Sequence, residues 1–405
     1  MATNLHGIDN RQRRARLARR HHLAGSARAT DVVNIAGDLV GLHGSDPASV
    51  FLSTWARLRK PAATVAALEQ ALYEHRTLVR TLCMRRTMFV VPTGLVPVVQ
   101  AAVTEALVPG ERRRTVQMIE QGGIAADGTA FLAALEEATL AELRQRREAT
   151  GAELGKAVPG LDHQFPVGEG KTWAGTIGLS TRVLFLLSTA QRIVRGRPRG
   201  SWTSSQYRWS PIEAWLPDGV PVLDPAQARA ELVRRYLAGF GPATTNDVKW
   251  WTGWTLGQTR EALASVGAVE VALEAGPGWV LPDDGDAVRA PAPWVALLPS
   301  LDPTTMGWQQ RGWYLGPHGP ELFDRNGNAG PTVWADGRVV GGWAQRRSGE
   351  IVHRLLEDLG AETAARIAAV AAELERWLGP MRITPRFPTP LQKALVAEGV
   401  TQRGA

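Results

Sequence analysis

Twice along this chain of 405 residues the same order of local signals recurs: three helical stretches, then a strand-like one. That order narrows the folds open to the chain more than its composition does. The first instance runs from Asp31 to Val91. Asp31 suits an N-cap or first-turn position, and Val32, Val33, Ile35, Ala36, Leu39 and Val40 keep helical spacing up to Gly41. Asp46–Pro47 opens a second helix, with Val50, Phe51, Leu52, Trp55 and Leu58 as its apolar stripe. Pro61 breaks that pattern, and Thr64 starts a third helix through Leu72. Residues 78–82 and 86–91 then read as two strands. The second instance opens at Asp224–Pro225. A helix over 226–237, a turn at 241–244 ending in an N-cap, helices over 246–251 and 256–265 and a strand over 269–273 follow in turn. Three helices and a hairpin are the layout of a winged helix-turn-helix, and its recurrence predicts an α+β chain of tandem winged helices.

The segments around these repeats are more varied. Residues 1–10 read as a loose start. From Arg11 to Arg28 there are seven arginines and no acid, and residues 11–23 predict a helix with one strongly cationic face. Further helices are predicted over 93–108, 130–147 and 179–193, with a shorter piece from Gly151 to Pro159. The helix over 130–147 places Leu132, Leu135, Leu140 and Leu143 on one side. Arg192, Arg195, Arg197 and Arg199 lead into Gly200–Ser201–Trp202, a loop or hairpin. From 295 to 343 the texture is β-rich, with turns at 326–330 and 335–338, and 361–378 reads as a last amphipathic helix. The division expected is 11–95 for a first winged helix, 96–222 for a second winged-helix-like segment with the basic loop, 223–290 for a third, and 291–378 for the β-rich portion.

Composition bears on partners and excludes classes. Net charge is +7, and 41 arginines against 5 lysines carry it. Arginine's planar fork pairs bidentately with phosphates and guanine edges, so a polyanion is one reading; a high-GC genome, which raises Arg, Ala and Gly together, is the other. One cysteine, Cys83, allows neither a disulfide framework nor a cysteine zinc site. No run of 18 apolar residues suggests a membrane span, and no apolar stretch follows the basic start as in a signal peptide. A cytoplasmic protein sharing space with the nucleoid is expected. Thirteen of 15 tryptophans follow residue 200. They can stack on bases, but packing in a small β-rich core is the favoured reading.

Specific segments carry a resemblance. Residues 38–47, Asp-Leu-Val-Gly-Leu-His-Gly-Ser-Asp-Pro, followed by 52–58, Leu-Ser-Thr-Trp-Ala-Arg-Leu, resemble the signature of the AlkZ/YcaQ-type winged-helix DNA glycosylases. So do Arg80–Thr81 with 86–90, the segment 298–303 (Leu-Pro-Ser-Leu-Asp-Pro), and 326–330 with 336–343. The similarity runs from about residue 11 to about 378. It implies tandem winged helices forming a C-shaped body around duplex DNA. It implies excision of N7-alkylated purines, including bulky natural-product adducts and crosslinks, in DNA repair or antibiotic self-resistance. It implies no metal, no cofactor and a monomer.

The chain departs from that family at one place. The family keeps Gln-x-Gln, or Gln-x-Asp, where this chain has His43 and Ser45. An N7-alkylpurine is already cationic and leaves as a neutral base, so the site needs to stabilise an oxocarbenium-like sugar and place a water. His43 is a candidate to orient that water or accept its proton, and Ser45 to hold it or touch a phosphate. Asp46 is a candidate to balance the sugar's charge or fix His43, its alternative being the N-cap of the helix at Pro47. The candidate DNA contacts are Arg57, Arg85, Arg86, Arg195, Arg197, Arg199, Lys249 and Asn328. For Asn328 turn formation is the competing role, and for Arg85 and Arg86 a solvated hairpin. Phosphate contacts make binding salt-sensitive but do not identify a lesion. The reading is a monofunctional glycosylase acting on duplex DNA with alkylated purines. The alternative is a non-catalytic winged-helix protein that regulates or shields DNA.

Overall fold

A computed structural model describes residues 7–167, 170 and 174–401. It mixes helix and strand in two compact units. One joins Met1–Glu69 to Ala230–Ala405; the other is the intervening Gln70–Arg229.

The first unit begins with helix Asn10–Arg20, capped by Asp9, whose carboxylate accepts from the Gln12 N–H at 2.7 Å. The expected cationic face does not point outward. Arg13 and Arg16 are buried with Ala15, Leu17 and Ala18. Arg13 lies 4.1 Å over the Trp313 ring, Arg14 donates to the Trp313 carbonyl at 3.0 Å, and Arg16 donates to Asp284 at 2.9 Å and the Asp286 carbonyl at 2.7 Å. Arg20 donates to the Gly241 carbonyl at 2.8 Å. With so few apolar residues, the helix packs through aliphatic arginine stems while the guanidinium forks satisfy carbonyls. Burial pushes Arg13 down to about 10 against the opposing pull of Asp247, which still leaves it charged at neutral pH.

Helices Pro225–Phe240, Thr245–Thr252 and Leu256–Ser265 follow in the order expected, the first of them entering this unit at Ala230. Thr244 with Asp247, and Thr255 with Gln258, form reciprocal capping boxes on the second and third. Strands Val269–Leu273 and Gly276–Val280 then pair antiparallel, with Gly276 opposite Leu273. The late β-rich part is a four-stranded antiparallel sheet of Val295–Leu298, Thr332–Ala335, Arg338–Gln345 and Ile351–Leu355 in that spatial order. Asp336 and Gly337 form its tightest turn at φ 47° and 82°, the pair of positive angles that a two-residue hairpin of this kind requires. Helix Gly360–Leu378 is not the last one, as 361–378 had suggested. The chain continues into Pro390–Thr401, where Leu391 and Leu395 are buried.

Aromatic rings fill this unit's core. Tyr236, Phe240, Trp251, Trp308, Trp313, Tyr314 and Trp334 form a chain of contacts with centroids 4.7–6.0 Å apart. Most of the tryptophans after residue 200 are buried, as favoured above. His21 stacks on Trp308 at 5.7 Å. Its Nε2 donates to the Gly239 carbonyl at 3.1 Å, and Nδ1 takes the hydrogen of Thr304 Oγ1 at 2.8 Å. Burial, then the neighbouring Arg57 charge, hold the His21 pKa well below its usual value. A folded state that refuses this proton while the unfolded chain binds it loses stability as pH falls below about 6.5, at up to about 1.4 kcal/mol per pH unit. The urea midpoint is expected to drop between pH 7.5 and 5.5, and less steeply in His21→Asn. A midpoint flat over that range would exclude a neutral buried His21.

In the second unit, strands Leu78–Leu82 and Met88–Pro92 pair antiparallel, with Leu82 opposite Met88. Helix Gly128–Arg146 buries Leu132, Leu135, Leu140 and Leu143 against Leu179, Val183, Leu186 and Leu187 of helix Leu179–Thr189. Strands Ile193–Pro198 and Tyr207–Pro211 make a second hairpin. The helical stretch expected over 93–108 runs on to Gln121, because Pro109 sits in the first turn of segment Val108–Gln121, where a proline is tolerated. Thr93–Gln121 is the one helical stretch among the described residues long and apolar enough, by length and composition, to cross a membrane. Its side chains Val96, Val98, Val99 and Ala102 are buried. Further along, the buried Glu111 carboxylate takes Arg182 at 2.9 Å, Arg114 at 3.0 Å and also Arg86.

Candidate active site

The loop bearing the chain's departure from the family pattern is built by two helix ends. Helix Val32–Asp38 stops, and the chain reverses through Val40 and Gly41 at φ 51° and 106°. A short strand, Leu42–His43, leads through Gly44 to a bend at Ser45 and Asp46, the latter the N-cap of helix Pro47–Trp55. One Asp46 oxygen accepts the Ala48 N–H at 3.2 Å and the other the Ser49 hydroxyl at 3.1 Å. Every residue of Pro47–Trp55 is buried, so the loop stands on a rigid base. His43 is 5% exposed, Asp46 is also buried, and Ser45 is half-buried. The structure thus brings His43, Ser45 and Asp46 together in one turn of backbone.

Arg57, expected to touch DNA, is instead wholly buried behind this helix, with 0% of its side chain exposed. Nε donates to the His21 carbonyl at 3.0 Å. Nη1 serves the Ser53 carbonyl and Asp302, both at 2.8 Å; Nη2 serves Asp302 and Thr304, both at 2.7 Å. All five donors of the fork are used within the protein, leaving none for a phosphate. Asp302 also accepts the Ser53 hydroxyl at 2.7 Å and the Thr304 N–H at 2.9 Å. Two segments noticed in the sequence, 52–58 and 298–303, are therefore halves of one buried lock.

The tail beyond residue 378, which the sequence reading passed over, reaches the loop. Gln345 pins it by accepting the Ile383 N–H at 2.9 Å and donating to the Met381 carbonyl at 3.0 Å. Exposed Arg386 then donates to the Ser45 carbonyl at 2.7 Å. A small pocket, partly open to solvent, lies beside Asp46; Ser49, Ser300, Trp343, Pro385 and Gln392 contribute to its walls. The available signal was Thr389–Pro390 ahead of Leu391 and Leu395, a helix start of the same kind as Asp46–Pro47.

A family model for AlkZ-like DNA glycosylases matches residues 36–379. This chain belongs to the AlkZ-like DNA glycosylase family. Its fold is similar to that of the Streptomyces sahachiroi DNA glycosylase AlkZ, with a TM-score of 0.69 over 90% of this chain and 97% of that one, at 19% sequence identity. A comparison with curated protein sequences finds no match. The matched span takes in His43, Ser45 and Asp46 and ends before Arg386 and Gln392.

The other expected DNA contacts of this AlkZ-like glycosylase fall in both units. Lys249 is exposed on helix Thr245–Thr252 of the first. Asn328, in the same unit, shapes a turn: its N–H and Nδ2 bind the two Asp324 oxygens at 2.8 and 2.9 Å. Five arginines belong to the second unit. Arg85 and Arg86 occupy the turn between strands Leu78–Leu82 and Met88–Pro92 at φ 53° and 59°, and exposed Arg86 pairs with Glu111. Arg195 and Arg197 sit on strand Ile193–Pro198 rather than in a loop. Arg195 covers Trp209 and Arg197 covers Tyr73, each at 4.8 Å. Arg199 follows, exposed, with its N–H on the Gln206 carbonyl at 2.8 Å. Among the described residues no three His, Cys, Asp or Glu side chains gather as a metal site.

Proposed function

We propose that this chain is a monofunctional DNA glycosylase that hydrolyses the N-glycosidic bond of N7-alkylated purines in duplex DNA, bulky natural-product adducts among them, in repair or self-resistance. The observation that carries the reading is the buried His43–Gly44–Ser45–Asp46 turn, fixed at the start of a fully buried helix within the family-matched span. Alkylation at N7 puts a positive charge on the base, so departure needs no general acid. The demand falls on the sugar, which becomes oxocarbenium-like, and on the water that attacks it. Asp46 supplies negative charge beside the sugar and receives the water's proton. His43 and Ser45 face the deoxyribose.

Hydrolysis rather than lyase chemistry is supported by the lysines. Lys60, nearest to the loop in sequence, has its ammonium 4.1 Å over the Trp55 ring and 3.4 Å from Glu373. The helix trio with its hairpin at 225–280 reads as a winged helix that seats the duplex. Lys249 on that winged helix supplies a backbone contact, and Arg85, Arg86, Arg195, Arg197 and Arg199 are the second unit's own candidates for phosphate contact. Mass spectrometry of bases freed from DNA treated with a panel of alkylators is the test. Release of N7-alkylguanine above a protein-free control is expected. Tight binding to the damaged duplex with no release would favour the non-catalytic reading instead.

A further inference from the structure

One buried polar atom beside the loop has no partner in the protein. Gln392 is 6% exposed, yet its Oε1 accepts no hydrogen bond. Leaving such an acceptor unpaired costs about 1–3 kcal/mol, which marks a place where a donor belongs. The atom's side chain lines the pocket that also borders Asp46. A carboxylate can accept about four hydrogen bonds, so Asp46 can serve the pocket as well as its helix. A small molecule that offers two hydrogens to two acceptors is water, and Trp343 and Pro385 also line the pocket.

We propose that Gln392 and Asp46 together hold the water that hydrolyses the glycosidic bond. The inference rests on the reading of the chain as a glycosylase. The water gives one hydrogen to Gln392 Oε1 and one to the Asp46 carboxylate, which leaves its lone pairs for C1′ of the deoxyribose. As the bond from C1′ to the purine N9 breaks, its electron pair enters the ring and cancels the N7 cation. The water oxygen bonds to C1′, and its proton passes to Asp46 and then to solvent. The products are a neutral alkylpurine and an abasic sugar with a C1′ hydroxyl. Gln392 supplies a side-chain amide to a site whose loop carries His43 and Ser45, and it does so from outside the family-matched span.

The test uses the full chain and a duplex alkylated at guanine N7 by a nitrogen mustard. Single-turnover base release, affinity for that duplex and the melting temperature are measured for wild type, Gln392→Met and Gln392→Glu. Gln392→Met is expected to slow release about 100-fold, the scale of a misplaced reactant, with affinity and melting temperature unchanged. Gln392→Glu keeps an acceptor oxygen at the same reach and is expected to recover most of the rate. A methionine variant with the wild-type rate overturns the proposal. So does one whose loss of rate tracks weaker binding or melting and is not rescued by glutamate. A wild-type protein that frees no base from any alkylated duplex overturns the glycosylase reading itself.

Discussion

Asp302→Ala is expected to destabilise the first unit by about 3–5 kcal/mol, the range for removing one partner of a fully buried ion pair. The carboxylate is 0% exposed and receives both Nη atoms of Arg57, the Ser53 hydroxyl and the Thr304 N–H. Its loss strands a guanidinium charge that no solvent reaches. Because that charge causes most of the damage, Arg57→Met combined with Asp302→Leu is expected to recover a large part of the stability. Urea denaturation of the two single variants and the double variant measures this. An Asp302→Ala midpoint close to wild type would refute a lock at this position. The same experiment separates Arg57 from a DNA contact, since a phosphate-binding arginine could be truncated with little change in the midpoint.

His43→Ala is expected to lower single-turnover release of N7-alkylguanine about 100-fold or more, the usual yield of a positioned polar group at the reacting bond. Affinity for the damaged duplex is expected to stay near wild type, because the proposed phosphate contacts are other residues. His43→Gln restores the residue type that the family resemblance places at this column, and is expected to retain more activity than alanine. An alanine variant as fast as wild type would remove His43 from the reaction and leave the catalytic proposal to Ser45, Asp46 and Gln392.

The features read correctly from sequence are those decided within a few residues. Asp31, Asp46–Pro47 and Thr244 cap helices through bonds to N–H groups two or three positions on, and Asp336–Gly337 turns a hairpin by its own backbone angles. The 43–46 loop was singled out by the family resemblance instead. What escaped was decided at long range. Whether an arginine on helix Asn10–Arg20 faces water or core depends on the Trp313, Gly241 and Asp286 carbonyls, 221–299 residues away. Arg57 was misread because its partner Asp302 stands 245 residues further on. Arg386 meets Ser45 across 341 residues, and no local pattern in the tail points to that encounter.

The chain leaves the first unit at Glu69 and re-enters it at Ala230, and this sets an order of events on the ribosome. The unit formed by Gln70–Arg229 is contiguous, so its whole sequence has been made while its neighbour still lacks most of its residues. Arg57 must wait for Asp302 to emerge, which at roughly 5–20 residues per second takes about 12–50 s. During that interval the Arg57 guanidinium lacks its carboxylate partner. The lock behind the candidate active-site loop therefore closes late in synthesis.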